Sequence, residues 1–129
     1  MCFNAEVWPI SNTDAVHLEG VHFRLLRRIV AKTPEEHVMR DRVLQLTEVP
    51  PLLALLRQKR LRWVWHALRR APTDRSRLNV LDQLNKPESR WTQLIQSDCN
   101  VANIPIDSLE HLVADRTAFR QLTCTRTFC

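Results

Sequence analysis

Glycine is almost missing from this chain of 129 residues, with Gly20 its single instance. Tight hairpins draw on glycine for positive φ, so its scarcity argues against a fold built from many of them. The same scarcity leaves no glycine-rich phosphate loop, which excludes the Walker and Rossmann nucleotide-binding classes. No apolar run approaches the length of a membrane span, and the first residues lack the basic-then-apolar order of a signal peptide. Cys2, Cys99, Cys124 and Cys129 form no C-x-x-C pair, a pattern that fits reduced thiols in an intracellular protein, nuclear or cytoplasmic. A zinc site from Cys99, His111, Cys124 and Cys129 would lack compact knuckle spacing, so neither a metal nor another cofactor is expected.

Catalytic patterns are missing as well. There is no G-x-S-x-G elbow, no H-E-x-x-H and no pair of aspartates at polymerase-like spacing. His17, His22, His37, His66 and His111 are scattered, and single helical histidines are usually surface or core-edge residues. The expectation is a protein that is not an enzyme and takes no small-molecule substrate.

What the chain does have is 44% hydrophobic residues, 26% charged residues, a net charge of +5 and a pI near 9.6. That is apolar enough for one domain over residues 1–129, with residues 1–10 and 124–129 expected to be poorly ordered. The charge favours an anionic partner by long-range attraction. Nucleic acid is the first candidate, ahead of a membrane surface, because the apolar face opposite the charge is needed for packing.

Leu, Arg, Gln and Ala at helical spacing predict a mostly α fold, an irregular bundle of about five helices around a long basic amphipathic one. That central helix is PPLLALLRQKRLRWVWHALRR, from Pro50 to Arg70. Pro51 suits a first helical position, Pro72 marks the far end, and the segment is expected to be the longest helix. At 100° per residue, Leu53, Leu56, Trp63, Val64, Ala67 and Leu68 share one side, while Lys59, Arg62, His66 and Arg69 run down the other. No acid interrupts the cations from Arg57 to Arg70. Arg57 and Arg60 land on the apolar side, so either they snorkel to its edge or acids from another element meet them.

The cationic side is either the solvated face of a core helix or a face that tracks phosphates. On the second reading the binding residues are Lys59, Arg62, Trp65, His66, Arg69 and Arg70, with Trp65 near the basic stripe able to stack on a base and Trp63 in the core. Elsewhere, Ser11, Asn12 and Thr13 offer caps for a helix over Asp14 to Lys32 whose apolar stripe is Val21, Leu25 and Ile29 with Leu18 and Leu26. Thr33-Pro34-Glu35-Glu36 is a capping box for a helix towards Glu48, with Val38, Val43, Leu44 and Leu46 buried. Residues 72–87 read as a short strand or helical turn. Glu88 to Cys99 is expected as a helix with Trp91, Leu94 and Ile95 inward. Asp107-Ser108 caps a last helix that Asp115 and Arg116 kink or restart.

Several of these segments together resemble one family. RLRWVWHALRR (Arg60 to Arg70) is similar to the R-L-R-W-hydrophobic-G-H-hydrophobic-x-R segment downstream of the reverse transcriptase in non-LTR (LINE-type) retrotransposon polyproteins. NAEVWPIS (Asn4 to Ser11) resembles the E-x-W segment after the polymerase core, and LEGVHFRLLRRIV (Leu18 to Val30) the L-E-x-F-H-x-R-x-L-R-x-I helix. HVMRDRVL (His37 to Leu44), SRWTQLIQSD (Ser89 to Asp98) and LVADRTAFRQLTC (Leu112 to Cys124) resemble its later motifs in the same order. Trp65 stands where the family has glycine, and Phe119 where it has tryptophan. The resemblance implies a helical, thumb-like region that packs on a reverse transcriptase core and helps hold RNA or DNA, here without the polymerase and endonuclease. The alternatives are a helical protein-interaction module, or a retroelement remnant with no function.

Overall fold

The computed structural model of the chain describes residues 4–31 and 37–125, with the side chains of 119 and 122–125 outside the description. The described residues are mostly helical and contain no strand, as the composition predicts. In order they form a 3-10 turn at Ala5–Val7, then α1 (Asn12–Val30), α2 (Arg40–Thr47), α3 (Leu52–Leu68), α4 (Arg75–Leu84) and α5 (Arg90–Ala102). A second 3-10 turn at Ile106–Ser108 leads into α6 (Leu109–Leu112) and α7 (Arg116–Thr125). No described helix is long and apolar enough to cross a membrane. Two compact units emerge, one of Ser11–Leu55 and the other of Met1–Ile10 with Leu56–Cys129.

In the Ser11–Leu55 unit, Ser11 caps α1 in a reciprocal capping box with Asp14. At 19 residues α1 is longer than the 17-residue α3, so the segment from Pro50 to Arg70, expected to form the longest helix, does not form the longest described one. The stripe of Val21, Leu25 and Ile29 is exposed, whereas Leu26 and the carboxylate-bearing Glu19 are buried. A helical wheel sees only side-chain polarity, and here a carboxylate takes the inner position because it has two partners. Its Oε1 lies 2.7 Å from Arg40 Nη2, and its Oε2 accepts from the Leu53 amide at 3.0 Å. Glu19 thereby satisfies one of the orphan amides in the first turn of α3. In α2, Val43 is fully buried as expected, but Leu46 is half exposed. The Thr33–Glu36 capping box lies outside the described residues.

Gly20 sits inside α1 with ordinary helical φ, and a methyl group added there meets nothing within 4 Å. Positive φ falls instead on Asn4, Glu48 and Asn103. Gly20→Ala should therefore stabilise the protein by about 0.5–1 kcal/mol, read as a higher denaturant midpoint at unchanged slope. A neutral or destabilising result would mean that the glycine serves a contact absent from this structure.

The larger unit has a core of Leu61, Val64, Trp65, Ala67 and Leu68 from α3, Val80 from α4, and Trp91, Ile95, Cys99 and Ala102 from α5. Residues 72–87 are not a strand. Asp74 accepts from the Ser76 amide and starts the ten-residue α4, a cap signal the faded apolar period concealed. Asn103, at φ 53°, ends α5 with the Ile104 amide donating back to the Cys99 carbonyl at 2.9 Å, an asparagine in the place glycine usually takes. Asp115 does restart the helix, since its Oδ1 accepts from the Thr117 and Ala118 amides. Residues 4–10, expected to be poorly ordered, are anchored at several points. Ala5 and Ile10 are buried, the Trp91 indole donates to the Glu6 carbonyl at 3.1 Å, and Arg90 Nε donates to the Ile10 carbonyl at 3.3 Å.

Candidate nucleic-acid interface

The exposed sector of α3 carries only cations and one imidazole. Within the helix these are Lys59, Arg62 and His66, and Arg69 and Arg70 continue the exposed sector just past its last residue, Leu68; all five are exposed. Leu56, Arg60, Leu61, Val64, Trp65, Ala67 and Leu68 are buried, with Arg57, Gln58 and Trp63 half-buried between the two faces. A wider arc is buried than the wheel predicts, because Leu61 and Trp65 also turn inward.

Arg57 and Arg60 do not snorkel. Asp98 of α5 meets both: Arg60 Nε donates to Oδ2 at 2.6 Å and Arg60 Nη2 to Oδ1 at 3.0 Å, while Arg57 Nε lies 3.4 Å from Oδ1 without hydrogen-bond alignment. The Arg60 and Asp98 side chains are 7% and 4% exposed, so this is a buried bidentate ion pair. These two arginines belong to the scaffold rather than to the exposed face.

Trp65 is likewise scaffold, which corrects its assignment as a stacking residue. It is 6% exposed, and the Arg69 guanidinium lies over its ring at 4.8 Å from the centroid. Neither ring face is open to a base. Trp63, assigned to the core, is only half-buried and meets Trp91 edge to face at 5.9 Å. The two tryptophans flank the cationic sector on opposite sides, and spacing alone does not show which neighbour covers which ring.

His66 lies at the centre of the charge. Partial burial, and then the guanidiniums of Arg62, Arg69, Arg116 and Arg70, hold its imidazole below the ordinary 6.5. Arg116 comes from the start of α7, and sequence reading missed it because it is 50 positions away from His66. Asp74 borders the group. Asp74 Oδ2 lies 3.3 Å from Arg70 Nη1, and its carboxyl is held below the usual range by the Ser76 amide and then by Arg70. Arg70 is accordingly partly compensated. Arg77 Nη1 donates to the Leu68 carbonyl at 2.9 Å and so closes the C-terminus of α3.

Among the described residues no three His, Cys, Asp or Glu side chains gather as a metal site would require. Cys99 is buried, and desolvation followed by the nearby Asp98 charge pushes its thiol up to about 12, so it carries no thiolate at neutral pH. Set beside known proteins, the chain matches no family model, and neither a curated protein nor a solved structure is significantly similar to it.

Proposed function

We propose that the exposed sector of α3, joined by Arg116, binds the phosphate backbone of a nucleic acid, and that the chain does so without catalysing a reaction. The observation that carries this reading is the convergence of Arg62, Arg69, Arg116 and Arg70 on His66, with Asp74 bonded to Arg70 at its border. Like charges gathered on one exposed surface raise a positive potential that a polyanion relieves by releasing its counterions. The contact set is Lys59, Arg62, His66, Arg69, Arg70 and Arg116. The resemblance to the region downstream of LINE-type reverse transcriptases supports RNA or target DNA as the anion and a reverse transcriptase core as a protein partner. On this reading the chain is a helical bundle built round its basic helix and derives from such a polyprotein.

The test is binding of the purified chain to RNA and to duplex DNA across a salt series. Affinity that falls linearly on log–log axes supports the reading, and affinity indifferent to salt, or none, overturns it.

Acidity gives a second handle. The folded pKa of His66 is lowered, so its contribution to stability is complete above 6.5 and is lost as pH falls through 6.5 towards the folded value. A bound phosphate reverses this by favouring the imidazolium. Affinity for RNA should therefore rise as pH drops below 6.5, by about tenfold for each unit the phosphate raises the pKa, and His66→Asn should abolish that rise. An identical pH profile in the variant would remove His66 from the contact set.

The exposed stripe of Val21, Leu25 and Ile29 on α1 favours a second reading, a protein-interaction module. Self-association without RNA affinity, abolished by Ile29→Lys, would put that reading first.

A further inference from the structure

Beside the cationic sector, the larger unit has a recess of about 370 Å³. Its volume lies near the lower end of the roughly 300–1,000 Å³ of small-ligand sites, room for one flat ring system rather than a chain. Trp63 and Trp91 form its aromatic side, set nearly perpendicular at 89°. Val7 and Pro9 form a second wall, fixed in place by the Trp91 and Arg90 hydrogen bonds to the carbonyls of Glu6 and Ile10. Asn79, Gln83 and Ser89 add amide and hydroxyl groups, with Ser89 Oγ donating to Gln83 Oε1 at 3.2 Å. No carboxylate lines it.

We infer that this recess takes a single unstacked nucleobase from the strand whose phosphates lie on α3; the inference rests on the nucleic-acid reading and adds a site to it. Every base has a π face that an indole can meet, and an amide such as that of Asn79 offers a donor and an acceptor to a base edge. Position completes the argument. Lys59 and His66 stand four residues before and three after Trp63, so the helix places them next to the tryptophan that borders the recess. A strand with its base against Trp63 would carry its phosphate past those groups. An aromatic side chain of a partner protein would fill the same volume but has no anion for the adjoining cations.

The experiment uses the full chain with three probes: oligo(dA), an abasic strand of equal length, and free adenosine followed at the tryptophan indole N–H resonances. The abasic strand should bind about tenfold or more weakly, since it keeps the phosphates and loses the stacked base. Asn79 is exposed, so Asn79→Phe should fill the recess without unfolding the protein, checked by its melting curve. It should lower oligo(dA) affinity to the abasic level and leave abasic binding and its salt slope unchanged. Equal binding of the two strands, or an unchanged oligo(dA) affinity in a folded Asn79→Phe, overturns the recess while the phosphate reading stands. If neither strand binds, the phosphate reading fails by itself, and adenosine decides the recess: shifts at Trp63 and Trp91, absent in Asn79→Phe, support it. Their absence, or stronger shifts with N-acetyltryptophanamide than with adenosine, overturns it.

Discussion

Asp98→Ala should lower the unfolding free energy by about 3–5 kcal/mol, a large part of the roughly 5–15 kcal/mol typical of a folded protein. The reason is the imbalance left behind. Arg60 is 5% exposed and its guanidinium is held by both Asp98 oxygens, so without them a cation stays buried with nothing opposite it. Arg57, whose side chain is 24% exposed, loses its ionic contact too but can turn towards water. Most of the loss should vanish in Arg60→Met combined with Asp98→Leu, because replacing a buried pair by apolar groups of similar size is often neutral or better. Chemical denaturation of the single and double variants measures both. A loss under about 1 kcal/mol for Asp98→Ala would show that the pair is hydrated in solution.

Changing Lys59, Arg62, Arg69 and Arg116 together to glutamine should flatten the log–log dependence of nucleic-acid affinity on salt by roughly 3, from about 0.9 per contact on duplex DNA and 0.7 on single strands. All four are exposed, and none belongs to the buried Asp98 network. Folding should survive, with a small loss from removing Arg69 over the Trp65 ring at 4.8 Å. Arg70 is left in place because its bond to Asp74 already offsets part of its charge. Melting curves and salt-dependent binding of the same preparation separate the two effects. An unchanged slope would mean that the sector is a solvated helix face, and the interaction-module reading on α1 would take its place.

Helix was legible in the sequence because its signals are local: proline at the edges of α3, Ser11 ahead of α1, and apolar residues at three- and four-residue spacing. The exposed cations were legible for the same reason, since a run without acids on one helix face is a property of that helix alone. What escaped was set by partners distant in the chain. Glu19 reads as a surface acid until Arg40 and the Leu53 amide are beside it. For Arg60 an acid from another element is one of two expectations, but nothing in the spacing points to Asp98, 38 residues on. Trp63 and Trp65 are separated by one residue and border the same sector. Trp65 is buried with Arg69 over its ring, while Trp63, packed against the core as expected, also borders a recess walled by residues from the start of the chain. Arg116 had no sequence signal linking it to His66.

Those recess-wall residues also impose an order on assembly. The Glu6 and Ile10 carbonyls are bonded by side chains 85 and 80 residues further along. On a ribosome adding about 5–20 residues per second, that separation is a wait of roughly 4 to 16 seconds during which the first segment has been made and its anchors have not. Through that interval Ala5 and Ile10, buried in the folded protein, lack that cover, and the segment is open to chaperones or to apolar surfaces of other chains. A slowly translated message would lengthen this exposure without changing the final structure at all.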